Sequence, residues 1–185
     1  MVKKVLLTVL LAGLVLPMAA CGGGKNKTYV NTEEKISMDY PAEWLEVSAD
    51  EIKNQIDPTG ATIAAFRDIA NQEDNFVPNV NIVKEDLSAD LTSDNYAAIS
   101  ITNTAKQMEA YEKLNVYSTK IAGQRTKIHI FKAKANASAQ KNKYIQTYLV
   151  NNKKGYVITA AMPENFDKNK SNVYEGAVKK IRFNK

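Results

Sequence analysis

The only cysteine in this chain of 185 residues is Cys21, and it directly follows an apolar amino-terminal segment. One cysteine forms no intramolecular disulfide, so the fold after Cys21 has to be stabilised by packing and hydrogen bonds alone. The remaining length is enough for one domain with its own hydrophobic core. Hydrophobic residues make up 44% and charged residues 24% of the sequence, which is a globular composition and excludes a wholly disordered chain.

The amino-terminal segment has the layout of a signal peptide. Lys3 and Lys4 precede the apolar run 5–16. The run is shorter than the ~20 apolar residues of a membrane-spanning helix and has the length of the apolar region of a secretory signal. Residues 16–21, Leu-Pro-Met-Ala-Ala-Cys, resemble the lipobox of bacterial lipoproteins, in which small residues precede a cysteine that receives lipid.

This resemblance implies that residues 1–20 are removed and that Cys21 carries acyl chains such as palmitate. Two or more acyl chains hold a protein stably on a membrane, so we expect a lipid anchor on the extracytoplasmic face of the cell membrane. Gly22 is not the aspartate that retains such proteins in the inner membrane of Gram-negative cells, so the outer membrane is expected there. Residues 21–34 are predicted to be the lipidated cysteine and a flexible tether, and residues 35–185 the folded domain.

Hydrophobic periodicity predicts strands, a helix, further strands and a last helix. The predicted elements are strands at 36–40, 44–47, 62–67, 79–83, 116–121, 126–134, 143–150 and 156–161, and helices at 49–56, 94–111 and 168–180. Helical spacing places Ala98 on the buried side of the second helix and Val173 on the buried side of the third. Short connections between the later strands favour hairpins. The predicted fold class is therefore α+β, with a mostly antiparallel sheet flanked by helices.

Four stretches of the domain resemble the PsbP-like superfamily, whose members are α-β-α sandwiches. The stretches are 36–44, 76–82, 159–166 and 179–183. They are packing features, and the first, a tyrosine–proline step before Trp44, predicts that Trp44 is buried. PsbP-like domains generally serve as assembly or stabilising partners, so the resemblance implies a non-enzymatic binding or accessory module whose partner is a membrane or envelope protein. Photosynthetic and nuclear roles of other members are not inferred for this chain.

Three tyrosines are the first candidate binding residues. Tyr144, Tyr148 and Tyr156 are predicted to share one face of the sheet on neighbouring strands. Tyrosines in that arrangement form a platform for carbohydrate or peptide, or they pack against each other across the strands. A platform would make the protein a surface or periplasmic receptor for a ligand, which is the alternative function.

A basic hairpin supplies the second set of candidate binding residues. Lys127, Lys132 and Lys134 lie on it, where they contact anionic lipid or wall polymers or protect the strand against edge pairing. Residues 21–100 carry 6 basic and 15 acidic side chains, a net of −9, and residues 101–185 carry 17 and 5, a net of +12. This asymmetry indicates either an anionic partner or charges that interleave within the fold. Without Lys3 and Lys4, which leave with the signal peptide, the net charge is +3, which is too small to indicate nucleic acid.

The sequence contains no pattern of catalytic residues. His129 is the only histidine, and it lies within a predicted strand with cationic neighbours. One histidine and one lipidated cysteine leave too few ligands for zinc, and the acidic stretch 85–94 lacks the spacing of a calcium-binding EF-hand loop. We therefore predict no catalytic residue, no metal site and no cofactor, in a domain that is a monomer. An enzyme is the third and least favoured function.

Overall fold

The computed structural model describes residues 26–73 and 76–184. Within these ranges the strands are β1 (Asn26–Asn31), β2 (Ile36–Pro41), β3 (Leu45–Glu46), β4 (Thr62–Arg67), β5 (Asn79–Asp86), β6 (Glu109–Ile121), β7 (Gln124–Lys134), β8 (Lys141–Asn151), β9 (Lys154–Pro163) and β10 (Ile181–Phe183). The helices are α1 (Ala49–Glu51), which continues as a π-helical turn (Ile52–Ile56), α2 (Ser93–Gln107) and α3 (Lys168–Val178), with a short 3-10 turn at Ile69–Asn71.

The strands form two antiparallel sheets. The large sheet has the order β3-β4-β5-β9-β8-β7-β6, and the small sheet has the order β1-β2-β10. Two tight turns join the long strands: Ala122 and Gly123 have φ of 50° and 79°, and Asn152 and Lys153 have φ of 51° and 60°. Left-handed backbone at both central residues matches the twist of the flanking strands, as in a type I′ hairpin. The predicted α+β class with a mostly antiparallel sheet is confirmed.

The main hydrophobic core lies between the small sheet with α3 and one face of the large sheet. Ile36, Met38 and Tyr40 of β2 face this core, as does Trp44, which is 3% exposed. The ring centroid of Trp44 lies 4.8 Å from that of Tyr174 in α3. The prediction that Trp44 is buried is confirmed.

The other face of the large sheet is covered by the remaining helices, and we call it the α2 face. The short first helix is capped by Ser48, whose side chain accepts a hydrogen bond from the Glu51 backbone N–H at 3.2 Å. Helix α2 ends at Gln107, several residues earlier than predicted, because the chain from Glu109 onward pairs with β7. This long-range pairing overrides the local helical pattern.

Two residues predicted to be buried in helices are exposed. Ala98 is exposed on α2, which buries Tyr96 and Ala97 instead, and Val173 on α3 is 48% exposed while its neighbour Tyr174 is 1% exposed. In both helices a tyrosine supplies the buried contact. Ala97 and Tyr174, the immediate neighbours of these two residues, occupy the buried positions.

The folded domain begins before the predicted boundary. Asn26–Asn31 pair with Ile36–Pro41 in the small sheet, and the Tyr29 hydroxyl donates a hydrogen bond to the backbone oxygen of Ile63 at 2.6 Å. The tether predicted for 21–34 is therefore too long, since its second half is strand β1 and the turn that follows. The predicted signal peptide and the lipidation site Cys21 lie outside the described residues. No helix of the described part is long and apolar enough to cross a membrane.

Candidate functional site on the α2 face

A row of polar side chains crosses the α2 face of the large sheet. Strand register places the row members directly opposite one another on four neighbouring strands, in the order His129 (β7), Gln146 (β8), Thr159 (β9) and Asn81 (β5). The first three are at most 3% exposed. Helix α2 covers the end of this row near His129. Helix α1 with its π-helical turn packs on Ala65, next to Asn81 at the other end of the row. Polar residues in such a central, covered position require partners.

Hydrogen bonds join most of this row into one directional chain. Tyr148 donates its hydroxyl proton to Gln146 Oε1 at 2.7 Å, so its oxygen accepts from His129 Nδ1 at 3.0 Å. His129 Nε2 then has a lone pair, which accepts from the Tyr111 hydroxyl at 2.9 Å. Gln146 Nε2 donates onward to Thr159 Oγ1 at 3.0 Å. The chain fixes His129 in its neutral form with the proton on Nδ1.

The surroundings of His129 disfavour its protonation. Burial lowers the pKa of the imidazole to about 4, and the positive charge of Lys113 acts in the same direction. The ring stacks on Phe131 with centroids 4.4 Å apart. Both ring nitrogens bind tyrosine hydroxyls, and neither is hydrogen-bonded to a serine, threonine or cysteine side chain among the described residues. This geometry makes His129 a structural group that organises the row.

A second row, beside the first, contains polar atoms that lack partners among the described residues. Register places Phe131, Tyr144, Ala161, Asn79 and Arg67 opposite one another on successive strands. The hydroxyl of Tyr144 and Nε of Arg67 are buried without a hydrogen-bond partner in the described part, as is Oδ1 of Asn81 in the first row. Leaving such a group unpaired costs about 1–3 kcal/mol, so three of them on one stretch of sheet mark a place where polar partners are required.

The predicted tyrosine platform is wrong. Tyr144 is 0%, Tyr148 1% and Tyr156 1% exposed. Tyr144 and Tyr148 lie on the α2 face, whereas Tyr156 lies on the opposite face, where its hydroxyl donates to Glu34 at 3.0 Å. The side chains alternate along each strand, and the pairing of Tyr156 with Leu149 places it on the side away from Tyr148. The three tyrosines are core residues of two different layers.

The three candidate lysines do not form one basic patch. Lys127 lies on the α2 face and pairs with Asp94 of α2 at 2.6 Å. Lys132 and Lys134 lie at even positions of the same strand and face the other side, where Lys132 pairs with Glu164 at 3.2 Å. Lys120 and Arg125, opposite each other near the β6–β7 turn, remain exposed.

Charges of the acidic and basic halves of the sequence meet within the fold. Among the described residues, four ion pairs join the two halves: Lys127–Asp94, Lys153–Asp90, Lys154–Glu34 and Arg182–Asp39. The last is bidentate, with N···O distances of 2.8 and 2.7 Å. These pairs favour the interpretation that the charges of the two halves interleave within the fold.

Sequence reasoning missed part of the polar rows, although one signal for them was present. Tyr111, Asn81 and Thr159 were not among the candidates. Asn79 and Asn81 alternate with the apolar Val80 and Ile82, a pattern that assigns one polar face to a strand. The sequence does not show that β5 lies in the interior of the sheet, where this polar face is covered. Within the described ranges, no three His, Cys, Asp or Glu side chains come together in a way that would hold a metal ion.

The described domain has the fold of several solved structures. CyanoP, the PsbP of the cyanobacterium Synechocystis, aligns with a TM-score of 0.60 and 14% identity over 90% of this chain and 99% of its own. The Ran-binding protein Mog1p of Saccharomyces cerevisiae aligns with a TM-score of 0.55 and 13% identity over 86% and 95%. LpqN of Mycobacterium tuberculosis, a protein involved in cell envelope biogenesis, aligns with a TM-score of 0.55 and 9% identity over 87% and 91%.

Identities this low establish a shared fold and nothing about activity. The expected PsbP-like fold is therefore confirmed. No family model matches the sequence, and no curated protein matches it significantly.

Proposed function

We propose that this chain, which has a PsbP-like fold, is a membrane-anchored extracytoplasmic lipoprotein whose domain is a non-enzymatic binding or accessory module. The observation that carries the non-enzymatic part is the state of His129. The only imidazole of the chain is neutral, buried and hydrogen-bonded to tyrosines at both nitrogens, so it has no free nitrogen for general base catalysis.

The anchoring part of the proposal is supported by the sequence and by where the domain begins. The lipobox-like residues end at Cys21, and the first strand begins at Asn26. LpqN, with the same fold, is involved in cell envelope biogenesis, and CyanoP is a cyanobacterial PsbP. A lipid-anchored module of this fold would contribute to an assembly in the envelope through its protein surface.

The proposal is tested by crosslinking in native membranes. The full chain, expressed in a bacterium with a carboxy-terminal tag, is crosslinked and purified, and its covalent partners are compared with those of the Cys21→Ala chain. We expect a small set of envelope proteins to be enriched only with the anchored form. The same partners with both forms, at the same yield, would show that anchoring at Cys21 does not direct the assembly.

A receptor for a small polar ligand is the second candidate function. It is favoured by polar atoms of Tyr144, Arg67 and Asn81 on the α2 face, which are buried and have no hydrogen-bond partner in the described part of the chain. Native mass spectrometry of protein purified without denaturation would detect a bound molecule as added mass, and the Asn81→Ala variant should lose that mass. If each protein instead has the mass of its own bare chain, these atoms are left to ordered water.

A further inference from the structure

The described domain has two ends, which are set by the directions of its strands. The Asn26 end contains Asn26, Pro41 opposite it in β2, and Trp44 in the turn after β2. Trp44 packs against Tyr174, and the Tyr174 hydroxyl donates to the carboxylate of Asp68, the residue that follows β4. The carboxyl end of β4 therefore lies at the Asn26 end as well.

The opposite end, which we call the tip end, contains the turns of three hairpins. Glu34, in the β1–β2 turn, accepts a hydrogen bond from Lys154 Nζ at 2.9 Å, next to the β8–β9 turn. Gln124 Nε2 donates to the backbone oxygen of Val150 at 2.9 Å, which brings the β6–β7 turn to the same end, together with the exposed Lys120. Strand β8 has 11 residues between the two ends. At ~3.4 Å per residue, the ends are about 35 Å apart.

The chain between Cys21 and the first strand is short. Five peptide steps separate Cys21 from Asn26. A fully extended chain spans at most ~3.6 Å per residue, so Asn26 lies within about 18 Å of Cys21 in every conformation. That limit is about half the length of the domain, so a lipid at Cys21 restricts which end approaches the bilayer.

Two exposed apolar side chains lie at the Asn26 end. Leu45 is 53% exposed and lies opposite Arg67 across the β3–β4 pair. Ile69, 39% exposed, is two residues beyond Arg67. Apolar side chains of this size gain free energy when they enter the boundary between headgroups and acyl chains.

We infer that the Asn26 end of the domain, with Leu45 and Ile69, faces the lipid bilayer, and that the tip end with Lys120 and Arg125 points away from it. This inference rests on the proposed lipid anchor at Cys21. In this orientation the tip end does not contact the same membrane, and its three hairpin turns are available to a partner protein.

Energy transfer from tryptophan to a headgroup-labelled lipid tests the orientation. Trp44 is the only tryptophan and lies at the Asn26 end, so the unmodified chain carries one donor there. The full lipidated protein is placed in phosphatidylcholine vesicles that contain a dansyl-labelled phosphatidylethanolamine. The matched double variant Trp44→Phe with Lys120→Trp moves the donor to the tip end. Transfer depends steeply on distance, so transfer from Trp44 should exceed transfer from the Lys120→Trp donor several-fold.

Two controls keep failure of the orientation distinct from failure of the anchor. Flotation with vesicles checks attachment: wild type should float and Cys21→Ala should not. If wild type floats but transfer is equal for both donors or greater from the tip, the orientation is overturned while the anchor stands. If wild type does not float, the proposed anchor has failed first. Thermal unfolding of the double variant verifies that it is folded.

Discussion

His129 Nδ1 lies 3.0 Å from the Tyr148 hydroxyl oxygen, in a layer of the sheet where both residues are at most 1% exposed. Because the Tyr148 hydroxyl donates its hydrogen bond to Gln146 Oε1, this contact requires a proton on Nδ1 and holds the imidazole neutral. A second proton would have to be placed on Nε2, where it would displace the Tyr111 hydroxyl proton. The contact therefore links the protonation of one residue to the packing of the whole α2 face.

This link predicts a loss of stability at mildly acidic pH. Burial lowers the pKa of folded His129 to about 4, whereas an unfolded histidine titrates near pH 6.5. Between these values the unfolded state binds more protons than the folded state, so stability is full above about pH 6.5 and declines as pH falls towards 4. Denaturant unfolding of the chain from Asn26 onward, at pH 7.5 and at pH 5.0, should give a lower free energy of unfolding at pH 5.0.

The His129→Gln variant is the control for this prediction. It should be less stable than wild type at pH 7.5, because Tyr111 and Tyr148 lose their shared partner, and its stability should change little between the two pH values. A wild-type domain that is equally stable at pH 7.5 and 5.0 would contradict the assignment of a neutral, depressed-pKa histidine.

Glu34 is predicted to fix the β1–β2 turn to the large sheet. Its side chain is 2% exposed and accepts hydrogen bonds from Lys84, Lys154 and Tyr156. Glu34→Gln removes the charge, and hydrogen bonds to a charged group contribute about 1.5–3 kcal/mol each, so we expect a loss of several tenths to about 3 kcal/mol after the partly exposed lysines regain water. Chemical denaturation at pH 7.5 measures this loss.

The matched control is Asp90→Asn, which removes the ion pair with Lys153. Both side chains of that pair are more than two-thirds exposed, so the change should be within ~0.5 kcal/mol of zero. Equal losses of unfolding free energy in the Glu34 and Asp90 variants would mean that the buried Glu34 contacts stabilise the fold no more than an exposed ion pair does.

Glu34 also predicts a second acid transition, below that of His129. Burial opposes ionisation of the carboxyl, but the hydrogen bonds from Lys84, Lys154 and Tyr156 together outweigh burial and lower its pKa from 4.5 to about 2. A depressed carboxyl pKa stabilises the fold above about pH 4.5, and this contribution is lost as pH falls towards 2. Glu34→Gln should reduce the slope of stability against pH in this lower window and leave the slope between pH 7.5 and 5.0 unchanged.

Trp44 is predicted to be a major contributor to the core. Trp44→Ala should cost about 3–5 kcal/mol, because the indole packs against Tyr174 and leaves a cavity when removed. Wild-type emission should be blue-shifted and weakly quenched by iodide. The neighbouring Leu45→Ala, at a side chain that is 53% exposed, should stay within ~0.5 kcal/mol of wild type in solution. Emission typical of tryptophan in water would contradict the buried position.

The sequence was informative where a pattern depends on neighbours along the chain. The strand at 62–67 follows from residue types that favour strands, and the burial of Trp44 follows from the Tyr-Pro step before it; the structure contains both. The sequence was uninformative where the register between two strands decides which face of the sheet a side chain lies on. Tyr156 pairs with Leu149, and this one fact separates it from Tyr144 and Tyr148. No property of the isolated strands specifies that register, because it is fixed by the turn at Asn152–Lys153 and by the core.

The start of the domain was misjudged for a related reason. Residues 26–31 are polar enough to resemble a tether, with Tyr29 and Val30 as their larger apolar side chains. Their strand is stabilised by pairing with β2 and by the hydrogen bond from the Tyr29 hydroxyl to Ile63, contacts that are distant in sequence. Strand β1 is therefore a consequence of tertiary structure rather than of local propensity.

The proposed function depends on lipidation of Cys21, which metabolic labelling with a fatty acid detects. The full chain and its Cys21→Ala variant are expressed in a bacterium that is fed labelled palmitate, and each is then partitioned between detergent and water. We expect label and detergent partitioning for the wild-type chain and neither for the variant. Label retained by the Cys21→Ala chain, or a wild-type chain that remains unlabelled and in the aqueous phase, would contradict this expectation.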